Sequence, residues 1–142
     1  SMKPQCQHVF TYGCLMIPRV MQVVTGRVFV GEAGLLQGYA RYALRGETYP
    51  GLVPEAAAAT DGVLWYEVDD NGLGQLDEFE GDWYERQSVT AIVGDQPVPA
   101  QVYVLVEAQY HRVSHRRWLR DRFERRYLLD FLANYERRVV HE

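Results

Sequence analysis

Residues 62–81 read Gly62-Val63-Leu64-Trp65-Tyr66-Glu67-Val68-Asp69-Asp70-Asn71-Gly72-Leu73-Gly74-Gln75-Leu76-Asp77-Glu78-Phe79-Glu80-Gly81, and a change of period inside them sets the fold class. The first seven residues are rich in β-branched and aromatic side chains, which predicts a strand over 62–68. From residue 70 the spacing changes. Leu73, Leu76 and Phe79 fall three apart on one face, which predicts a short helix over 70–80. Asp69 or Asp70 suits its N-cap, and Gly81 its C-terminal stop. Downstream, 84–93 and 99–106 read as an antiparallel pair across a turn at Gly94-Asp95-Gln96-Pro97. Upstream, 8–16 reads as a strand running into a glycine turn, and 17–27 holds a helical turn around Val20–Val24 closed by Gly26. Periodicity leaves 34–44 open between strand and helix. Tyr49-Pro50-Gly51-Leu52 carries turn chemistry, with Pro50 fixing φ. Over 114–137, Leu119, Phe123, Tyr127, Phe131 and Tyr135 recur every four residues, with Trp118, Leu128 and Leu132 beside them. That stripe predicts one long C-terminal helix, with Ser114 as N-cap. Strands first and a helix last make an α+β chain with a strongly curved or barrel-like sheet.

The chain has 142 residues, 47% of them hydrophobic, enough to bury the core of one domain. Ser1 ahead of Met2 reads as a tag-cleavage scar, 1–7 as a disordered start, and 8–142 as a single domain. No apolar run reaches the length that spans a bilayer, and the N-terminus lacks the regions of a signal peptide. Cys6 and Cys14 have no zinc-ligand or C-x-x-C spacing, so free thiols and a cytoplasmic location are expected. His111 and His115 are four apart and suit one helix face, but no third ligand lies nearby and arginines crowd them, so no metal is expected. Charge is uneven. Residues 1–111 carry six basic and 14 acidic side chains; 112–142 carry nine arginines and five acids. The tail reads as a helix docked by ion pairs or as a meeting point for an anionic partner.

Two segments carry chemistry. Tyr12-Gly13-Cys14-Leu15 ends the first strand at a glycine, where a sharp turn can present consecutive N–H groups to a carboxylate or oxyanion. The plain alternative is a strand end without a ligand. In 76–81, Glu80 stands at the end of the short helix, with Leu76 and Phe79 on the buried side. Like charge from Asp77 or Glu78, partial burial and the negative helix end would all raise its pKa. A carboxyl tuned upward can act as general base and then as general acid. The plain alternative is a solvated acidic helix end.

The order of these segments resembles the gamma-glutamylcyclotransferase-like family, which includes the gamma-glutamylamine cyclotransferases and the plant avirulence-induced-gene-like proteins. Tyr12-Gly13-Cys14-Leu15 matches its Tyr-Gly-Thr/Ser-Leu, and Tyr49 to Leu52 its Tyr-Pro-Gly-Leu-like segment. The strand Gly62 to Val68 follows, then Leu76-Asp77-Glu78-Phe79-Glu80-Gly81 with Tyr84-Glu85-Arg86, then Gln101 to Leu105 with Tyr103. Together these span roughly residues 8–106, a fairly specific signal. The resemblance implies a strand at 34–44 and a small mixed β-barrel with flanking helices. It also implies a cofactor-free reaction in which a small-molecule γ-glutamyl amine, or a related γ-glutamyl compound, cyclises to 5-oxoproline and frees the amine. By that analogy Glu80 moves the proton twice, and the backbone of Gly13, Cys14 and Leu15, beside Tyr12, holds the α-carboxylate or polarises the carbonyl. Tyr84, Tyr103 and Tyr49 stand as wall or core residues. The amine end of the pocket is expected from loops such as 17–33 and 53–60.

Two positions depart from the pattern. Cys14 replaces a small hydroxyl, and Met16 stands where many relatives carry a base, which bears on recognition of an anionic group. A nucleophilic Cys14 lacks a histidine to activate it. The departures motivate a second reading, a binding or regulatory module on the same barrel. A third is polyanion binding by Arg116, Arg117, Arg120 and Arg122 around Trp118. Against it, Arg117–Asp121, Arg120–Glu124 and Asp121–Arg125 can pair along a helix, and an isoelectric point near 5.6 disfavours nucleic acid. The sequence carries no signal for oligomeric state.

Overall fold

A computed structural model describes residues 6–141, with side chains described through residue 136. Five strands form the mixed barrel: β1 (Cys6–Thr11), β2 (Gly31–Ala43), β3 (Pro50–Asp69), β4 (Tyr84–Val93) and β5 (Gln96–Leu105), closed in the order β1-β3-β2-β4-β5. Long antiparallel ladders join β1 to β3, β3 to β2, and β4 to β5. Closure is looser. One antiparallel pair, Leu35 with Ile92, joins β2 to β4, and one parallel pair, Val9 with Gln101, joins β1 to β5. The expected disordered start falls outside the described residues up to residue 5, while Cys6 and Gln7 already belong to β1.

Alternation along the strands sorts the core into two sides. Phe10, Leu36, Leu52, Leu64, Val102 and Val104 fill the barrel. Their neighbours Val9, Trp65 and Tyr103 point the other way, onto the helices α1 (Pro18–Thr25), α2 (Asp70–Glu80), α3 (Arg120–Arg126) and α4 (Leu128–His141). Gly62 marks the tightest crossing. A Cβ there would lie 2.2 Å from the Thr11 carbonyl oxygen and 2.5 Å from Phe10 Cζ. α2 begins and ends as its sequence predicts: Asp69 accepts from the Gly72 N–H at 2.9 Å, and Gly81 stops it at φ 73°. The Gly94-Asp95 turn is tighter than expected. Both residues take positive φ, and pairing resumes at Gln96 rather than at 99.

Three expectations are corrected. Tyr49 to Leu52 is no turn: Pro50 opens β3, where its missing N–H costs least, and Gly51 pairs with Tyr42. The reversal comes earlier, at Arg45-Gly46, with Gly46 at φ 75°. Residues 53–60 are likewise strand, bulged between Pro54 and Ala59 opposite Gly38. The long helix does not start at Ser114. Residues 113–116 instead run beside the end of β2: Val113 pairs with Leu44, Ser114 N and Oγ both donate to the Ala43 carbonyl, and Ala43 N donates to the Arg116 carbonyl. The Trp118 indole then donates to the Thr48 carbonyl at 2.7 Å. The helix starts at Arg120 and is interrupted at Tyr127, φ −125°. Arg116 and Arg117 therefore sit in no helix turn, and His111 and His115 share no helix face. Of the expected intrahelical pairs, Arg120–Glu124 forms at 2.7 Å. Arg125 instead reaches the Asp121 carbonyl. No helix among the described residues is long and apolar enough to cross a membrane.

Candidate functional site

A cavity of about 850 Å³ opens where β1 ends. Its first wall is the segment 11–15. After Thr11 the chain turns through Gly13 (φ −123°, ψ −140°) into a single 3-10 turn, Cys14–Met16. Two side chains from β2 and β3, and one of its own reaching β5, brace that bend. The Arg41 guanidinium donates to the Tyr12 carbonyl at 2.9 Å, the Trp65 indole to the Leu15 carbonyl at 3.2 Å, and the Tyr12 hydroxyl to the Tyr103 carbonyl at 2.6 Å. Gly13 also lies under Pro50, whose ring carbons would stand 3.0 Å from an added Cβ.

The second wall is the end of α2 and the turn behind it, Glu80 to Tyr84. Leu76, wholly buried, and Asp69 at the cap fix this helix on the barrel. Glu80 is thereby carried into the cavity, facing the Gly13–Leu15 backbone across a shared space. Glu80 is half-buried, and burial of its carboxyl raises the pKa from 4.5 to about 8. The like charge expected from Asp77 or Glu78 contributes nothing resolved. Asp77 is turned aside, accepting from Arg86 Nε at 2.9 Å and from the Tyr103 hydroxyl at 2.6 Å, and Asp69 is tied to Arg27. Desolvation alone tunes Glu80. Its charge in turn raises the pKa of Tyr12, Cys14, Tyr84 and Tyr103, all of which burial already raises.

Each of the other expected residues lines the same cavity, but their polar ends are differently engaged. The Tyr84 hydroxyl donates to the Pro50 carbonyl at 2.7 Å. With Tyr12 on a carbonyl and Tyr103 on Asp77, all three hydroxyls serve as braces and offer the cavity their ring surfaces. Cys14 is buried, and its thiol is held far above the ordinary range, chiefly by burial and next by the Glu80 charge. A neutral thiol is a poor nucleophile.

Tyr49, expected as a wall or core residue, lines the cavity with its ring tilted against Trp83 at 6.2 Å. Of the expected loops, 53–60 stays away, while Val23, Val24 and Gly26 of the α1 end do contribute. The remaining wall comes from the aromatic stripe of the tail: Phe123, Phe131 and Tyr135, with Phe79. Its four-residue period reads as core packing, and in part it is. No group of three or more metal-ligating side chains occurs among the described residues.

Comparison with known proteins places this geometry. The model of the family "Gamma-glutamyl cyclotransferase, AIG2-like" matches residues 9–120. The chain is 33% identical over 98 residues to AIG2-like protein C and 34% identical over 108 residues to Protein AIG2 C, both from Arabidopsis thaliana. These matches cover 69% and 75% of this chain, but 57% and 66% of the two relatives, so the match leaves about a third or more of each relative uncovered. A solution structure of an Arabidopsis thaliana protein superposes with a TM-score of 0.72 at 28% identity, covering 98% of this chain and 85% of that one. A solved gamma-glutamyl cyclotransferase shares the fold, with a TM-score of 0.62 at 16% identity over 71% of this chain and 67% of its own.

Proposed function

The chain belongs to the gamma-glutamyl cyclotransferase, AIG2-like family, and from that premise we propose that it converts a γ-glutamyl amine to 5-oxoproline and free amine, with Glu80 as the proton carrier. One observation carries the reading: a buried carboxyl with a pKa near 8 shares a cavity with the bent backbone of Gly13–Leu15.

The chemistry asks little else of the protein. Nucleophile and electrophile belong to one molecule, so the site's first task is to hold the glutamyl chain folded, amine against γ-carbonyl. The Glu80 carboxylate accepts a proton from the α-ammonium, and the freed nitrogen lone pair attacks the γ-carbonyl carbon. A five-membered ring forms, and the carbonyl oxygen becomes an alkoxide that backbone N–H groups at 13–15 stabilise. Glu80, now neutral, returns its proton to the departing nitrogen. The C–N bond breaks and the carbonyl re-forms; the ring nitrogen passes its second proton to the freed amine, which departs as an ammonium, and Glu80 is again a carboxylate. A pKa near 8 suits both transfers, being close to working pH from either side. The braces on the Tyr12 and Leu15 carbonyls keep the donor segment in place before substrate arrives.

A second reading, binding without turnover, is favoured by Cys14, which stands where the family pattern carries a small hydroxyl and is held as a buried, neutral thiol. Release of 5-oxoproline from a panel of γ-glutamyl amides decides. Turnover that depends on Glu80 supports the enzyme; ligand-induced stabilisation with no product from any member supports the binding module.

A further inference from the structure

The amine half of the substrate has its own wall. Away from Glu80 the cavity is bounded by Val24, Phe79, Phe123, Phe131 and Tyr135. Phe79 meets Phe131 at 6.0 Å and Tyr135 at 5.8 Å, both edge-on, and Phe131 and Tyr135 lie parallel at 6.1 Å, an aromatic wall whose chemistry suits an aromatic guest. Gln75 lines the cavity one helical turn before Phe79, on the same face of α2. Its Oε1 is buried and has no hydrogen-bond partner among the described residues. A buried acceptor without a donor costs stability, and a ligand that brings the donor removes the cost. Among the described residues, the charged side chains on the lining are Glu78, Glu80 and Asp82, with no lysine, arginine or histidine. That set repels a carboxylate or phosphate on the leaving half.

We propose that this end of the cavity is the leaving-amine subsite and that it takes an arylalkylamine carrying a ring-borne hydroxyl, which donates to Gln75 Oε1. Gln75 and Glu80 line the same cavity of about 850 Å³, so one guest can place its amine nitrogen at Glu80 and its ring hydroxyl at Gln75. The assignment rests on the γ-glutamyl reading for its reacting end and names the amine for it.

The test compares 5-oxoproline release from γ-glutamyl 4-hydroxyphenethylamide, phenethylamide, n-butylamide and γ-glutamylalanine. The hydroxylated amide leads phenethylamide about tenfold in kcat/KM, from one hydrogen bond to a neutral acceptor. The butylamide is slower again, and γ-glutamylalanine slowest. Gln75→Leu abolishes the hydroxyl preference and does not lower the melting temperature, because it removes an unpaired buried acceptor. Equal rates on hydroxyphenethylamide and butylamide, a preference for γ-glutamylalanine, or a hydroxyl preference that survives Gln75→Leu overturns the proposal. Calorimetric binding of free 4-hydroxyphenethylamine against butylamine reads the subsite without turnover. Aromatic-selective binding that Gln75→Leu weakens, with no 5-oxoproline from any substrate, upholds the subsite and sinks the cyclotransferase reading. Turnover of the panel with no aromatic preference does the reverse.

Discussion

Replacing Glu80 by glutamine should stabilise the protein in a pH-dependent way, because the site holds a carboxyl whose ionisation the fold resists. The folded carboxyl has a pKa of about 8, against 4.5 for the ordinary group. Between those values the folded state keeps a proton that the unfolded state has released, so stability falls as pH rises. Below pH 4.5 both states hold the proton and the group contributes nothing. Integrated over the window, the loss is about 3 kcal/mol by pH 7 and nearly 5 kcal/mol above pH 9. Glutamine keeps the shape and hydrogen-bonding capacity but cannot ionise. Urea unfolding of both proteins from pH 5 to pH 9 is the assay. The difference, variant minus wild type, should start below about 1 kcal/mol at pH 5 and grow steadily to pH 8, flattening beyond. All other titrating groups cancel in it. Water at the cavity mouth screens part of the effect, so half of these values still agrees with the account. Parallel stability curves, or a variant destabilised at pH 9, would refute a carboxyl held above its ordinary range by burial.

Cys14→Ser should retain activity within about threefold and Cys14→Ala likewise, since a thiol held neutral by burial has no nucleophilic part; loss of turnover in both, with folding intact by circular dichroism, would restore cysteine chemistry. Gly62→Ala should cost roughly 3 kcal/mol or more in urea unfolding, because its Cβ would fall on the Thr11 carbonyl and the Phe10 ring at the β1–β3 crossing. A cost under about 1 kcal/mol would mean that this crossing yields easily.

Local signals were legible where neighbours in sequence settle the structure. α2 is set by its own caps, Asp69 and Gly81, and by Leu73 and Leu76, so its limits followed from the residues. The β4–β5 hairpin is set by its turn, and only the tightness of Gly94-Asp95 was missed. The errors lie where distant pairing overrides local preference. Pro50-Gly51 has turn chemistry, yet β2 recruits it as strand. Ser114 has N-cap chemistry, yet its hydroxyl goes to Ala43, 71 residues away. The helical period from Leu119 onward holds, but nothing in it announces the interruption at Tyr127. At the site, spacing pointed to a carboxyl at a helix end and a glycine bend after a strand. That the two share a cavity is a property of the β1–β3 register and of α2 packing, which no local pattern contains. The reason given for the tuning of Glu80 was partly wrong as well. Asp77 is spent on Arg86 and Tyr103, and burial does the tuning. The tail aromatics were read for packing, and their second role as cavity wall depends on where α3 and α4 dock.

The central claim is that Glu80 carries the proton in cyclisation. It is tested most directly by the rate of 5-oxoproline release by wild type and Glu80→Gln, with the most reactive γ-glutamyl amide of the panel, at pH 8. The account predicts a fall in kcat of about 10²–10⁴-fold, the usual contribution of a positioned acid–base group, in a variant as stable as wild type or more so. A Glu80→Gln protein that releases 5-oxoproline at the wild-type rate would contradict it.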